Sequence, residues 1–399
     1  STPSISIRGG GDPLYVIDGV VRSVVDFRNL SPDDIESMSS LKDASATAVY
    51  GSRASNGIVQ IVTKRGKSGR VSIDYDFNMS FSQPSIWPEK MHSYERAEWA
   101  NKAKTNDLMN GQEGVVYTAE AIQKMRDGSD PLNFSDTNWR KLVLKDWAPQ
   151  SKHTVRLTGG NDVHQFYMSV GHIDQNSLYR SNNHWMKRTT FRLAESATIK
   201  ALGLQVNAAL DGYRQHQEHP YTSTSNSYYN VFSHINNQSP MRPGVNKFGL
   251  PYNVTDNPVA ETAADAGYQR SIVNVINGKG ELVWSCLWVD GLKVRLASNY
   301  RYYGETYKNW RKDAAQYDWE SDVAQYANKP QLSHTSGTGY SYTNQAFVEY
   351  ANSFGQHNIS ALGGFEQYYE KGESYSASRS SYDFPIDQIG VGPANDQLN

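Results

Sequence analysis

The sequence predicts a two-part, mainly β chain: a small α+β unit over residues 1–66, then a succession of long amphipathic strands from 67 to 399. Three observations predict it. Pro13 to Gly66 is dense in turn, cap and strand signals. From Val71 onward apolar and polar residues repeatedly alternate with period two. Short turn sequences alternate with long polar segments between those strands.

Within the first part, Leu14 to Ile17 is a short apolar strand closed by Asp18-Gly19, a turn pair in which Gly tolerates positive φ and Asp bonds its own backbone. Ser31-Pro32-Asp33-Asp34 reads as a helix start. Ser31 would be the N-cap, Pro32 the first helical residue, and the acids would sit where the dipole favours them. The acids Asp33, Asp34 and Glu36 are assigned to that capping role rather than to Ca²⁺. Ala-rich Leu41 to Tyr50 suggests a second short helix stopped by Gly51. Ile58 to Thr63 is a β-branched strand, ended by Lys64-Arg65-Gly66.

Three segments, PLYVIDGV, SPDDIES and LKDASATAVYGSRASNGIVQIVTKRG, occur here in this order and spacing. Together they closely resemble the plug domain of SusC/RagA-like TonB-dependent outer-membrane transporters. The resemblance implies a membrane β-barrel, 22-stranded in the family and only partly covered here, with a small α+β plug domain in its lumen. It implies a bacterial outer-membrane location surrounded by lipid, and active import of a glycan, oligosaccharide or peptide driven by TonB with ExbB/ExbD. A SusD-like surface lipoprotein would close the outer mouth, in a dimer of SusCD-type pairs. The Ile5-Ser6-Ile7-Arg8 segment is similar to the family's IRG strand, but Gly9 to Asp12 joins it to Pro13 more directly than the family pattern does. Residues omitted between Arg8 and Pro13 are therefore expected, as are a TonB box and further barrel strands outside this sequence.

Composition agrees with that reading. Mean hydropathy is -0.66 and hydrophobic content 38%, and no run approaches the roughly 20 apolar residues of a membrane helix. A barrel escapes both tests, because every second strand residue faces a polar lumen. With 39 Lys+Arg against 41 Asp+Glu, net -2, nothing points to nucleic acid. The single cysteine, Cys286, excludes an intrachain disulfide framework and is read as a buried or lipid-facing apolar residue. The 26 Tyr and 9 Trp suit interfacial aromatic girdles and sugar-binding surfaces equally.

In the second part, Val71 to Phe81 alternates strictly and makes the first wall strand. Residues 83–151 are an insertion, with helical spacing at Ser93 to Lys104 and Thr118 to Arg126. Strands resume around Val155 and Leu157, turn at Gly159-Gly160-Asn161-Asp162, and return through Phe166, Met168 and Val170. Others lie near Thr190–Thr198, Leu204–Asp211, Ser271–Val289, Leu292–Tyr307, Tyr342–Asn352 and Gln356–Tyr369, about nine in all. Residues 215–267 are read as one long loop. An open wall cannot stand in hydrocarbon, since its edge N–H and C=O groups would be unpaired, so about 22 strands are expected to close it.

Nothing in the chain carries covalent chemistry. His216-Gln217-Glu218-His219 resembles half a metal site but lacks a helix to hold it, and is assigned to solvated loop. Gly51-Ser52-Arg53 is not a nucleophile elbow. No enzyme activity, cofactor or metal is expected. The family resemblance implies plug–barrel contacts at Lys42, Asp43 and Arg53, with simple fold stabilisation the competing role. It also points to Tyr and Trp on loops and the inner wall for ligand contact, and composition alone makes Tyr228, Tyr229 and Trp310 the substrate-contact candidates. A second functional class is a non-transporting extracellular carbohydrate-binding or adhesion β-protein, whose strands would form a soluble two-sheet sandwich.

Overall fold

The computed structural model describes residues 11–41, 48–108, 114–221, 227–326, 328–393 and 397–398. The α+β unit opens with the hairpin β1 (Leu14–Ile17) and β2 (Val20–Arg22). Its turn has Asp18 at φ 51° and Gly19 at φ 82°, the paired left-handed conformation that matches strand twist in two-residue hairpins. A short helix α1 (Val24–Asn29) comes next, capped by Ser23, whose Oγ accepts from Asp26 N at 3.1 Å. β3 (Ile35–Leu41) and β4 (Ile58–Thr63) complete a four-stranded sheet in the order β2-β1-β4-β3, with β1 and β4 parallel.

The parallel pair is covered on both faces, as parallel strands require. Tyr15, Ile17, Val59 and Ile61 pack against Val24, Phe27, Leu30 and Ile35, while Val16, Ala54 and Ile58 fill the other side. The helix expected from Ser31 does not propagate. Pro32–Asp34 is one 3₁₀ turn, Ser31 makes no side-chain cap, and Ile35 is already extended. The reason is tertiary: the next seven residues pair with β4, and sheet pairing there overrides the local helix signal. The second expected helix falls mostly on 42–47, outside the described residues, and Ala48–Ala54 beyond it is a 3₁₀ stretch.

The wall is one antiparallel sheet in which each strand pairs with the next in sequence. Its long strands are β5 (Gly69–Ser82), β6 (Ala148–Gly160), β7 (His164–Asn176), β8 (Trp185–Ile199), β9 (Leu204–Pro220), β10 (Tyr268–Ser285), β11 (Leu292–Arg311), β12 (Gln331–Phe354) and β13 (His357–Arg379). A two-residue strand β14 (Gln397–Leu398) pairs with the end of β13. Each of the long strands exceeds the roughly 9–11 residues that cross a membrane, and the longest extend well past it. One face is apolar and uncovered: Val71, Ile73, Tyr75, Phe77, Met79 and Phe81 of β5 are all exposed, as are Met168, Val170, Leu296 and Val348 further along. The opposite face meets the α+β unit, from Lys152 on β6 to Glu366 on β13. Seven strand spacings of about 4.8 Å would separate those residues by roughly 34 Å in a flat sheet. A unit of some fifty residues has a radius of gyration near 10 Å, so the sheet curls around it. This single curved layer is not the two-sheet sandwich of the alternative reading.

The two rims differ. Connections at 161–163, 200–203, 286–291 and 355–356 are tight, whereas 83–147, 221–267, 312–330 and 380–396 are long. Gly291, at φ 85°, is required at one tight turn: a Cβ there would lie 2.0 Å from Ala351 O. The 83–147 insertion carries α2 (Ser93–Leu108), α3 (Ala119–Asp127) and α4 (Trp139–Val143). Two expectations for 215–267 are corrected. β9 runs on to Pro220, so His216 to His219 are strand residues, and the remainder holds α5 (Ser227–Asn237) and α6 (Pro258–Glu261). These loops share a core of Trp139, Val143, Leu178, Tyr179, Val231 and Ile235. The amphipathic face of α5 made that segment a packing element, a signal its polar composition hid.

Candidate functional site

The functional geometry lies where the α+β unit meets the wall. Its centre is the β1–β2 hairpin, because the turn presents Asp18 and β2 presents Arg22 to the same patch. Asp18 accepts from Thr63 N at 3.0 Å and Oγ1 at 2.5 Å, and from Arg192 Nη2 of β8 at 3.2 Å. Arg192, 3% exposed, also reaches Asp211 of β9 at 3.4 Å. Asp211 is forked by Arg22 at 3.1 and 3.3 Å and accepts from Asn277 Nδ2 at 2.9 Å. Charges thus alternate Asp18, Arg192, Asp211, Arg22, with unit and wall contributing two each. Lys279 Nζ adds a bond to Asp18 O at 2.6 Å.

A second group forms on the 3₁₀ turn. Asp34 accepts from Tyr167 Oη and Ser169 Oγ, both at 2.7 Å, and Asp33 from Lys152 at 2.6 Å and Thr154 at 3.0 Å. The capping assignment for these acids is therefore corrected: the carboxylates face the wall, and only Glu36 stays in solvent. Asp26 of α1 pairs with Arg301 at 3.0 Å, and Asn29 donates to Tyr213 Oη at 2.8 Å.

Burial alone would raise the Asp18 carboxyl, but Arg192, the Thr63 bonds and Lys279 outweigh it and hold it below its ordinary range. Asp33 is likewise lowered, burial being outweighed by the Lys152 and Thr154 hydrogen bonds. Both acids are thus ionised at neutral pH and bind as anions. Removing one member of a buried ion pair strands the other at a cost of about 3–5 kcal/mol. At the centre of the network three of the four charges keep a partner on their own side when the interface parts: Asp18 keeps Thr63, and Arg192 and Asp211 keep each other. The chemistry on offer is holding and releasing, with no bond made or broken.

Arg53 lies in the same interface, its Nη2 2.6 Å from Glu366 of β13, and is about half exposed. Lys42 and Asp43 lie outside the described residues. Tyr228 and Tyr229 fall in the first turn of α5, and their side chains lie outside the described residues. Trp310 is 4% exposed and packs edge-on to Tyr382 at 5.2 Å, beside Leu332; a ring so covered presents no face for stacking. His216 and His219, three apart in a strand, point to opposite faces and cannot share an ion. His216 instead packs edge-on against Trp185 at 4.6 Å. Cys286 is buried. Among the described residues, one group of metal-ligand types is close, His234, Asp256 and Glu261, with ligand atoms within 4.8 Å. His234 Nδ1 lies 2.8 Å from both Glu261 oxygens, a hydrogen-bonded tie between α5 and α6.

Sequence reasoning missed Asp18, Arg22, Asp26, Arg192 and Asp211 as contacts. In the sequence Asp18 is fully accounted for by its turn. Arg192 and Asp211 look like any polar-face residue until strand register puts them directly opposite each other.

Comparison with known proteins fits this architecture. Residues 1–58 match the family model described as TonB-dependent Receptor Plug Domain. The TonB-dependent receptor SusC of Bacteroides thetaiotaomicron is 26% identical over 409 residues, covering 92% of this chain and 37% of that protein. TonB-dependent receptor P3 of Formosa agariphila is 24% identical over 402 residues, covering 96% of this chain and 35% of that protein. The fold superposes on the RagAB peptide importer in its closed-closed state with a TM-score of 0.75 at 23% identity, over 98% of this chain and 45% of that one. The chain thus spans little more than a third of the length of these curated relatives.

A plug-like unit held inside a curved, outwardly apolar wall is the fold of a TonB-dependent receptor's plug with part of its barrel, and residues 1–58 match that plug domain. Over most of its length the chain is similar in sequence to SusC and in fold to part of the RagAB importer, matching a plug followed by a run of barrel strands.

Proposed function

We propose that the chain is the plug and part of the wall of an importer that carries a large nutrient, a glycan, oligosaccharide or peptide, across the outer membrane. TonB, with ExbB and ExbD, supplies the pull from the short-turn side. A SusD-like lipoprotein caps the long-loop rim, the side that faces outward in such barrels, in a dimer of SusCD-type pairs. The reading is carried by one observation: the plug is held to the lumenal face by polar and charged pairs, and at their centre Asp18, Arg192 and Asp211 each retain a partner on their own side after separation. Such a seat is firm at rest and needs little reorganisation when pulled. Lys42, Asp43 and Arg53 are assigned to the same seat.

The test is uptake by cells carrying the full-length receptor and its neighbouring lipoprotein, with and without TonB. Import is expected to require TonB. The Arg53→Ala receptor, folded and present at normal level, is expected to show altered uptake; unchanged uptake removes Arg53 from the seat. Uptake independent of TonB for every cargo overturns the reading.

A further inference from the structure

The lumenal face is zoned. At the level of the plug its rows are charged: Arg192, Asp211, Lys279, Glu281 and Arg301 all point inward there. Nearer the long-loop rim two rows carry no charge. One row runs straight across the wall from Gln150 through Gln175, Met186 and Gln217 to Ser271, each directly opposite the next. It continues through Tyr307, Thr335 and Ser376 to β13. The next row out carries His219, Gln269, Asn309, Ser333 and Ser378. Neither row contains an Asp, Glu, Lys or Arg.

A cavity of about 340 Å³ opens against this belt, lined by Gln150, Gln175, Gln217, Trp185 and His184, a size suited to a small ligand or one end of a larger one. Its one side chain of fixed charge among the described residues is Arg188, whose Nε donates to Gln215 Oε1 at 2.9 Å and whose guanidinium lies over the Tyr213 ring. Gln215 Nε2 in turn donates to Gln217 Oε1 at 3.0 Å, which leaves the Gln217 amide nitrogen to donate elsewhere. The Ser271 hydroxyl, 5% exposed, has no hydrogen-bond partner.

Resting on the importer reading, we propose that this belt is a cargo-selecting surface for uncharged, hydroxyl-rich chains, that is, neutral oligosaccharides. Carboxamides offer a donor and an acceptor side by side, which suits adjacent hydroxyls that also give and accept. A peptide with free termini would bring its charges against two rows that hold none, with Arg188 the one fixed charge at the cavity among the described residues, at a desolvation cost. Nor can it add to the sheet as an extra strand here, because β6 to β9 are paired on both edges.

The test uses cells carrying the full-length receptor, its lipoprotein and TonB, given neutral hexasaccharides of glucose, xylose and mannose, acidic galacturonate hexamers, and peptides of eight to ten residues. The neutral sugars are expected to enter in a TonB-dependent way. Gln175→Glu with Gln217→Glu is expected to cut that uptake at least tenfold, while heat-modifiable gel migration stays normal. Gln175→Asn with Gln217→Asn should keep much of it. TonB-dependent uptake of peptides or acidic sugars alone overturns the belt and leaves the importer standing. Neutral-sugar uptake unmoved by the Glu pair also overturns the belt, and the absence of TonB-dependent uptake of any probe overturns both.

Discussion

Arg192 shows how much one side chain holds. It bridges a plug carboxylate and a wall carboxylate while 3% exposed, so its loss unpairs two buried anions at once. Both have reserves, the Asp18 carboxylate in Thr63 and Asp211 in Arg22 and Asn277. The cost of Arg192→Met is therefore expected at the low end of the buried-pair range, about 3 kcal/mol, read as easier plug extraction by urea with the barrel still heat-modifiable. The pH dependence comes from Asp18 and Asp33. Both folded values lie below the ordinary 3.8, so their contribution is complete above that value and is lost as pH falls through the depressed ones. Plug protection in hydrogen exchange should be flat from neutrality down to about pH 4 and fall only in stronger acid.

At the scale of elements, the two faces of a wall strand follow different rules. Ile73 stands on the apolar face of β5, 73% exposed; Ile73→Arg is expected to cost about 2–4 kcal/mol if it lies near mid-membrane. Folded yield in lipid vesicles measures this, and Asp74→Asn, on the opposite face, should leave yield unchanged. The outer loops titrate in the other direction. The Glu261 hydrogen bond raises His234 above its ordinary 6.5, so the tie between α5 and α6 is complete below that value and is lost as pH rises through the raised one. Proteolysis within 227–261 should quicken as pH passes from about 6 toward 9, and His234→Gln should abolish the trend. Alternation made β5, β7 and β9 legible, because a strand wet on one side and greasy on the other writes period two into the chain. It did not mark where β9 ends. Gln215 to Pro220 alternate between a polar lumen and a polar rim loop, and hydropathy cannot register that contrast.

For the whole molecule, the apolar outer face requires lipid or detergent, and the full-length receptor should shift its gel mobility on boiling as barrels do. Release of the intact protein into detergent-free buffer would contradict that. The plug's place in the lumen was legible only through resemblance, since PLYVIDGV and NGIVQIVTKRG say strand and turn but not what the strands touch.

What the sequence determined by itself is local and periodic: the Asp18-Gly19 hairpin, the β-branched core strand Ile58–Thr63, and a wall with one face for lipid and one for water. These arise from backbone preference and hydropathy within a few residues. Only the tertiary structure decided that Ser31–Asp34 starts no helix, that Asp33 and Asp34 bind the wall, and that Arg192 joins Asp18 to Asp211. The partner of a plug charge lies on a wall strand more than a hundred residues away, and its identity is fixed by strand register and by how the wall curves around the plug, neither of which any short stretch of chain encodes.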